Sequence, residues 1–129
     1  TKINKLNNVI LYGKETQDIV ANEFLQAEYF FYPANLPETF CNVAVEAQLY
    51  NTVCIYNYIG GLTTTISDRG LPIYYDLNDP NYTIKTSKDI INLMNNTQKK
   101  NDFITQGHEW AKNLDVNIIK DKWIVLFNN

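Results

Sequence analysis

The chain has 129 residues, with eleven Lys or Arg against fourteen Asp or Glu for a net charge of -3, 45% hydrophobic residues and 13% aromatic ones. That length supports one domain with a genuine core, burying roughly two thirds of the surface its unfolded chain exposes, and the apolar content excludes a disordered polymer. The acidic balance, with no face loaded with Lys or Arg, argues against nucleic acid or an anionic membrane as partner. No apolar run reaches the roughly eighteen residues of a membrane span and no charged-then-apolar leader comes first, so the expected location is cytoplasmic.

The opening T-K-I-N-K-L-N-N is a polar lead-in, and the chain reads as an excised piece of something longer. Residues 9–12 (V-I-L-Y) form a short β-prone run closed by Gly13. Residues 16–27 carry Ile19, Val20, Phe24 and Ala27 at helical spacing. Residues 29–32 (Y-F-F-Y), stopped by Pro33, read as a second strand buried on both faces of a parallel sheet.

Thr39 is the expected N-cap of the next helix, whose inward face is Val43, Ala44, Ala47 and Tyr50. Asn51 ends it, because asparagine tolerates the left-handed conformation of a helix C-terminus. Residues 52–56 are the third strand, 62–67 one or two helical turns, and 71–75 the fourth strand. Helical crossovers between successive strands make the sheet parallel. A turn at Asn78, Asp79 and Pro80 leads to covering helices: one over 89–95 capped by Ser87, one over 100–114 with Phe103, Gly107, Trp110, Ala111 and Leu114 on one face, and a last helix over 117–127. The expected fold is therefore a single α/β domain over 1–129, three-layered, with a parallel sheet of about four strands and C-terminal covering helices.

Cys41 and Cys54 fall at a helix start and inside a strand; two thiols without nearby histidines cannot assemble a zinc site, so buried free thiols are expected. Asn81 and Asn95 match the glycosylation acceptor pattern, but a chain with eighteen asparagines produces such matches by chance. His108 is expected to be exposed and uninvolved, and the tyrosines at 56, 58, 74 and 75 to be strand packing in preference to base-stacking groups.

The chemistry-bearing residues are two glutamates eight apart. Glu38 precedes the expected cap and Glu46 lies two turns into the helix, roughly 10 Å along its axis, too far to share a proton or a metal. Two carboxylates so spaced at the carboxyl end of a parallel sheet suit an extended ligand with hydroxyls in two places. The free N–H groups of Thr39, Phe40 and Cys41 at the helix start favour an anion between them. A nucleotide sugar has that layout, although six glutamates produce some pair eight apart about one time in four by chance.

The setting is more specific than the spacing. A strand, P-x-x-x-P-E-T-F-C, a helix carrying Glu46 and Ala47, a strand and then Gly60, Gly61 and Leu62 resembles the second half of the nucleotide-binding domain of retaining GT-B glycosyltransferases, the family often called group 1 or family 4. The resemblance implies a Rossmann-like domain that binds the sugar donor. Glu38 matches the glutamate that contacts the donor sugar's hydroxyls, the catalytic position; Phe40 and Cys41 match residues whose backbone faces sugar and phosphate, beside the donor-binding N–H of Thr39; Glu46 matches the glutamate that accepts from the ribose hydroxyls; Gly13 and Lys14 match the loop where the base rests. It implies transfer of a glycosyl group from a nucleotide-diphosphate sugar, with no cofactor and no obligatory metal.

The chain departs from the family pattern where Cys41 replaces glycine, Asn51 and Val53 replace glycine and proline, and Thr64 stands in place of an acidic residue. An acceptor-binding N-terminal domain and two strands of the family's sheet also do not precede Thr1, so the fragment alone is expected to be inactive. The 9–12 strand is expected to move in beside 29–32 or to pair across a homodimer. The rival readings are a noncatalytic nucleotide-sugar-binding or assembly module, and a flavodoxin-like interaction domain in which the glutamate pair is accidental.

Overall fold

The structure, a computed structural model, describes residues 6–128. It is a mixed α/β domain with six α-helices and one small open sheet among those residues. In chain order these are α1 (Gln17–Gln26), β1 (Tyr29–Tyr32), α2 (Asn42–Leu49), β2 (Val53–Asn57), α3 (Leu62–Thr65), a single 3-10 turn (Ser67–Arg69), β3 (Leu71–Ile73), α4 (Tyr82–Met94), α5 (Thr97–Lys112) and α6 (Val116–Phe127).

The sheet is parallel, as the crossovers require, in the order β1-β2-β3, with Tyr29 opposite Val53 and Ile55 opposite Leu71. Every residue of β2 is buried, and its alternating side chains feed two cores. Cys54 and Tyr56 join Phe24, Ala44, Ala47, Leu62 and Ile66 under α1 to α3, whereas Val53 and Ile55 join Leu71, Ile73, Leu93 and Phe103 under α4 and α5. β1 alternates likewise: Phe30 and Tyr32 stack at 5.5 Å and Phe24 meets Phe30 edge-on at 5.4 Å. As an edge strand it is not buried on both faces, and Phe31 remains 43% exposed.

The sheet has three strands where about four were expected. Residues 9–12 are not a strand: Val9, Ile10, Leu11 and Tyr12 are all exposed and the outer edge of β1 is unpaired among the described residues. The intramolecular move beside β1 is thereby overturned; four β-prone residues form a strand only when a ladder satisfies their backbone. Instead the Tyr12 hydroxyl donates to Glu23 at 2.8 Å, tethering the segment to α1.

Thr39 is not the N-cap of α2, because the Glu38 carbonyl accepts from the Gly61 N–H and keeps residues 37–40 out of the helix. Cys41 takes the cap position, and its carbonyl accepts from Ala44 and Val45. At the other end Asn51 adopts φ +64, the Thr52 N–H reaches the Ala47 carbonyl at 2.9 Å and the Asn51 N–H the Gln48 carbonyl at 3.1 Å, a Schellman closure. The Thr52 hydroxyl then donates to the Phe24 carbonyl at 3.0 Å, tying β2 to the end of α1.

α4 starts five residues before Ser87, which is not a cap. Asp79 accepts from the Asn81 N–H at 2.8 Å, and the Tyr82 hydroxyl donates to Asn57 at 2.8 Å, fixing the first turn against β2. α5 likewise starts ahead of residue 100, where the Asn96 side chain accepts from the Lys99 N–H. The last helix is present as expected, but α6 has no buried residue among those described. No helix among the described residues is long and apolar enough to cross a membrane.

Candidate functional site

The carboxyl ends of parallel strands are where α/β sheets collect ligands, because the following helices direct their N-termini there. Glu38 lies at that end, in the loop from β1 to α2, and the loop is wedged against the turn after β2. A Cβ placed on Gly61 would lie 2.6 Å from the Thr39 carbonyl carbon and 2.7 Å from the Glu38 oxygen, and one on Gly60 would lie 2.8 Å from the Pro37 Cα. Only glycines permit this approach. The Gly-Gly turn therefore holds the glutamate's backbone, while the Tyr32 hydroxyl, at the end of β1, donates to the Glu38 carboxylate. That hydrogen bond, then burial, pushes the Tyr32 phenol up to about 12.

Cys41 sits beneath Glu38 with its side chain buried, so it can offer a ligand only backbone. Burial, opposed in part by the N–H groups of Ala44 and Val43 and reinforced by Glu38, pushes its thiol up to about 11. Cys54, in the same core, is pushed up by burial to about 12. Both are free thiols, as expected. The cap of α2 falls at Cys41, two residues later than expected, and the Val43 N–H is already turned to the Cys41 thiol, so the first N–H of the helix proper is that of Asn42.

Glu46 is half-buried on α2 and accepts a hydrogen bond from the Gln17 side chain at 2.9 Å. Gln17 opens α1, so the loop holding Gly13 and Lys14 is brought to the neighbourhood of Glu46; Gly13 has φ +75 and open space where a side chain would stand. Glu46 and Phe40, 47% exposed, line one shallow hollow of about 360 Å³ with Asn42, Val45 and Leu114. The fold thus brings Phe40 and Glu46 to one hollow, while the backbone of Glu38 and Thr39 is held at the Gly-Gly turn. Glu38 does not line the hollow.

Sequence reasoning missed the partners of both glutamates, Tyr32 and Gln17. A hydroxyl at a strand's last residue followed by a glutamate six residues on is a usable signal for the first; nothing local signals the second. It also missed a polar network built on the buried Gln48. Arg69 donates to the carbonyls of Thr64 at 2.9 Å and Thr65 at 3.2 Å and lies 4.2 Å over the Trp110 ring, and the Gln48 amide donates to Ala44 and Thr65. Burial lowers the Arg69 pKa, and its guanidinium faces this network.

His108 is not uninvolved: it is half-buried and its Nδ1 lies 2.8 Å from the Leu49 carbonyl, so that nitrogen carries the hydrogen and caps the end of α2. Among the tyrosines, Tyr56 and Tyr75 pack as expected, whereas Tyr58 and Tyr74 are exposed. Among the described residues no three His, Cys, Asp or Glu side chains are grouped to hold a metal ion. No protein-family model matches the chain, and no curated protein matches it.

Proposed function

We propose that the chain is the donor-binding part of a retaining glycosyltransferase, a Rossmann-like domain that grips a nucleotide-diphosphate sugar at its two ends. The observation that carries this reading is the wedge of Gly60 and Gly61 into residues 37–39, which holds Glu38 rigidly at the carboxyl edge of the sheet, with the start of α2 between it and Glu46. Rigid carboxylates are what hydroxyl recognition needs, because a charge-assisted hydrogen bond is about twice as strong as a neutral one and depends on geometry.

In this reading Glu38 receives the hydroxyls of the transferred sugar, the Asn42 N–H at the start of α2 faces the diphosphate, and Glu46 exchanges Gln17 for the ribose diol. The base rests by Gly13 and Lys14, and no metal is required. Transfer needs the acceptor-binding half of a longer parent protein; the isolated chain is inactive and pairs with a second copy through the open edge of β1. A second reading, a noncatalytic assembly module, is favoured by α6, whose Ile118, Trp123, Val125 and Phe127 are all exposed.

The test is the melting temperature of the chain with UDP- and GDP-sugars at millimolar concentration, on the wild type, Glu46→Ala and Gln17→Ala. Ligand at ten times its Kd stabilises by about 1.4 kcal/mol, or about 5 °C for a domain of this size. The shift is expected in the wild type and Gln17→Ala and absent in Glu46→Ala. No shift with any nucleotide sugar refutes the reading.

A further inference from the structure

The two exposed tyrosines have a place in the fold that packing does not explain. Tyr58 directly follows β2 and Tyr74 directly follows β3, neighbouring parallel strands, and their rings meet at 5.0 Å with a 45° tilt while remaining 50% and 71% exposed. Together they form one wall of a cavity of about 440 Å³ at the carboxyl ends of all three strands, beside the loop that carries Glu38. A core tyrosine is enclosed, as Tyr56 is with its hydroxyl on the Ser67 carbonyl; these two keep half or more of their surface exposed, with Tyr58 also meeting the Tyr56 ring at 6.3 Å.

Apart from the tyrosines, the polar side chains around the cavity are neutral amides and one carboxylate, among apolar groups such as Ile59 and Leu77. Asn35, from the β1–α2 loop, lines the cavity and is exposed. Asp76 is fixed by accepting, through one oxygen, both the backbone N–H and the side-chain amide of Asn78 at 2.8 and 3.0 Å, which leaves its second oxygen free of those bonds. Asn57, at the floor, is immobilised between Tyr82 and the Tyr75 carbonyl. No Lys or Arg lines the cavity.

We infer that this cavity is a subsite for a neutral saccharide, separate from the site around Glu38 and Glu46. A pyranose ring offers a face of C–H groups carrying slight positive charge, which complements the negative face of an aromatic ring. Its rim of hydroxyls both donates and accepts, matching a carboxamide and a carboxylate oxygen. Phosphorylated ligands lack any counter-charge here. The position at the end of the strands is where α/β sheets bind ligands, and a few convergent polar groups over an aromatic wall is the usual composition of such a pocket. The inference does not depend on the nucleotide-sugar reading, since no residue of that site lines this cavity.

The experiment is saturation-transfer difference NMR on the 129-residue chain with maltose, cellobiose and N,N′-diacetylchitobiose at millimolar concentration, and with UMP as the charged comparison. Transfer to the ring C–H protons of at least one saccharide is expected, with binding about tenfold weaker in Tyr74→Ala and retained in Tyr74→Phe. Because Tyr74 is largely exposed and loses only its ring contact with Tyr58, the melting temperature of Tyr74→Ala should stay within about 5 °C of the wild type, which separates loss of the subsite from loss of the fold. Asp76→Asn should weaken binding as well. No transfer from any of the three saccharides overturns the inference, as does transfer unchanged in Tyr74→Ala or displacement of the saccharide by UMP. Loss of nucleotide-sugar stabilisation in Glu46→Ala with saccharide transfer intact distinguishes the two sites.

Discussion

Substituting Gly61 by alanine tests whether the Gly-Gly wedge holds the Glu38 loop. The residue has φ -62, an ordinary value for alanine, so no cost comes from the backbone angle itself. The whole effect is steric: the added methyl would meet the Thr39 carbonyl carbon at 2.6 Å and the Glu38 oxygen at 2.7 Å, about 1 Å inside van der Waals contact. Both are backbone atoms, so the loop must retreat as a unit and the bond from the Gly61 N–H to the Glu38 carbonyl is lost. Overpacking costs about 1–3 kcal/mol and the hydrogen bond about 1 kcal/mol, so about 2–4 kcal/mol is expected in urea unfolding, or a melting temperature lower by about 8–16 °C. Gly13→Ala is the converse control, with φ +75 but nothing within 4 Å, and should cost only about 1–2 kcal/mol. A Gly61→Ala protein within about 0.5 kcal/mol of wild type would refute the wedge.

At the end of α2, Asn51→Gly should leave stability unchanged or slightly raised and Asn51→Ala lower it by about 1 kcal/mol, because φ +64 is strained for a residue with a Cβ and no local polar group; urea midpoints decide it. Arg69→Ala should lose about 2–4 kcal/mol in the same assay, from two carbonyl partners and the Trp110 stack, and Arg69→Lys should recover less than half, since an ammonium cannot reproduce the planar fork. Cys41 and Cys54 should resist a thiol reagent at pH 8 in the native chain and react promptly in urea; prompt native reaction would show that the core around them opens. Their folded pKa values of about 11 and about 12, and about 12 for Tyr32, all lie above the ordinary values of 9.0 and 10.0, so the folded state holds protons that the unfolded chain releases. This contribution to stability is complete below pH 9 and is lost as pH rises through 11 to 12, and a urea midpoint that rises over that interval would contradict the assignment.

The parallel order, α2, β2, the Asn51 terminus and the last helix were all legible from the sequence, because each rests on local pattern: Asn51 needs only its own conformational tolerance. The errors share another cause. Thr39 has every local property of a cap, but the Gly61 N–H takes the Glu38 carbonyl from 23 residues away. Ser87 is overruled by Tyr82 reaching Asn57, and residues 9–12 show β propensity without a ladder to join. Around the two glutamates, the loop and the helix that carry them were legible and their hydrogen-bond partners were not. Glu38 and Glu46 could be singled out by spacing and setting, whereas Tyr32 and Gln17 meet them only once β1 and α1 are packed. Tyr58 and Tyr74 carry the same strand signature as Tyr56 and Tyr75, and exposure alone separates them.

The central position of β2 has a consequence for how the chain acquires its structure. Its two ladders join segments close in sequence, Tyr29 to Val53 and Ile55 to Leu71, with no strand inserted between neighbours from elsewhere in the chain. Closing those two loops brings β1, β2 and β3 together, and the face of β2 carrying Val53 and Ile55 is completed only when Leu93 of α4 and Phe103 of α5 pack on it. A parallel sheet wired this locally should condense fast for its class. The slowest-exchanging amides should then lie in residues 53–57, with the loop around Glu38 closing in the same cooperative event and α6 opening on its own long before the rest.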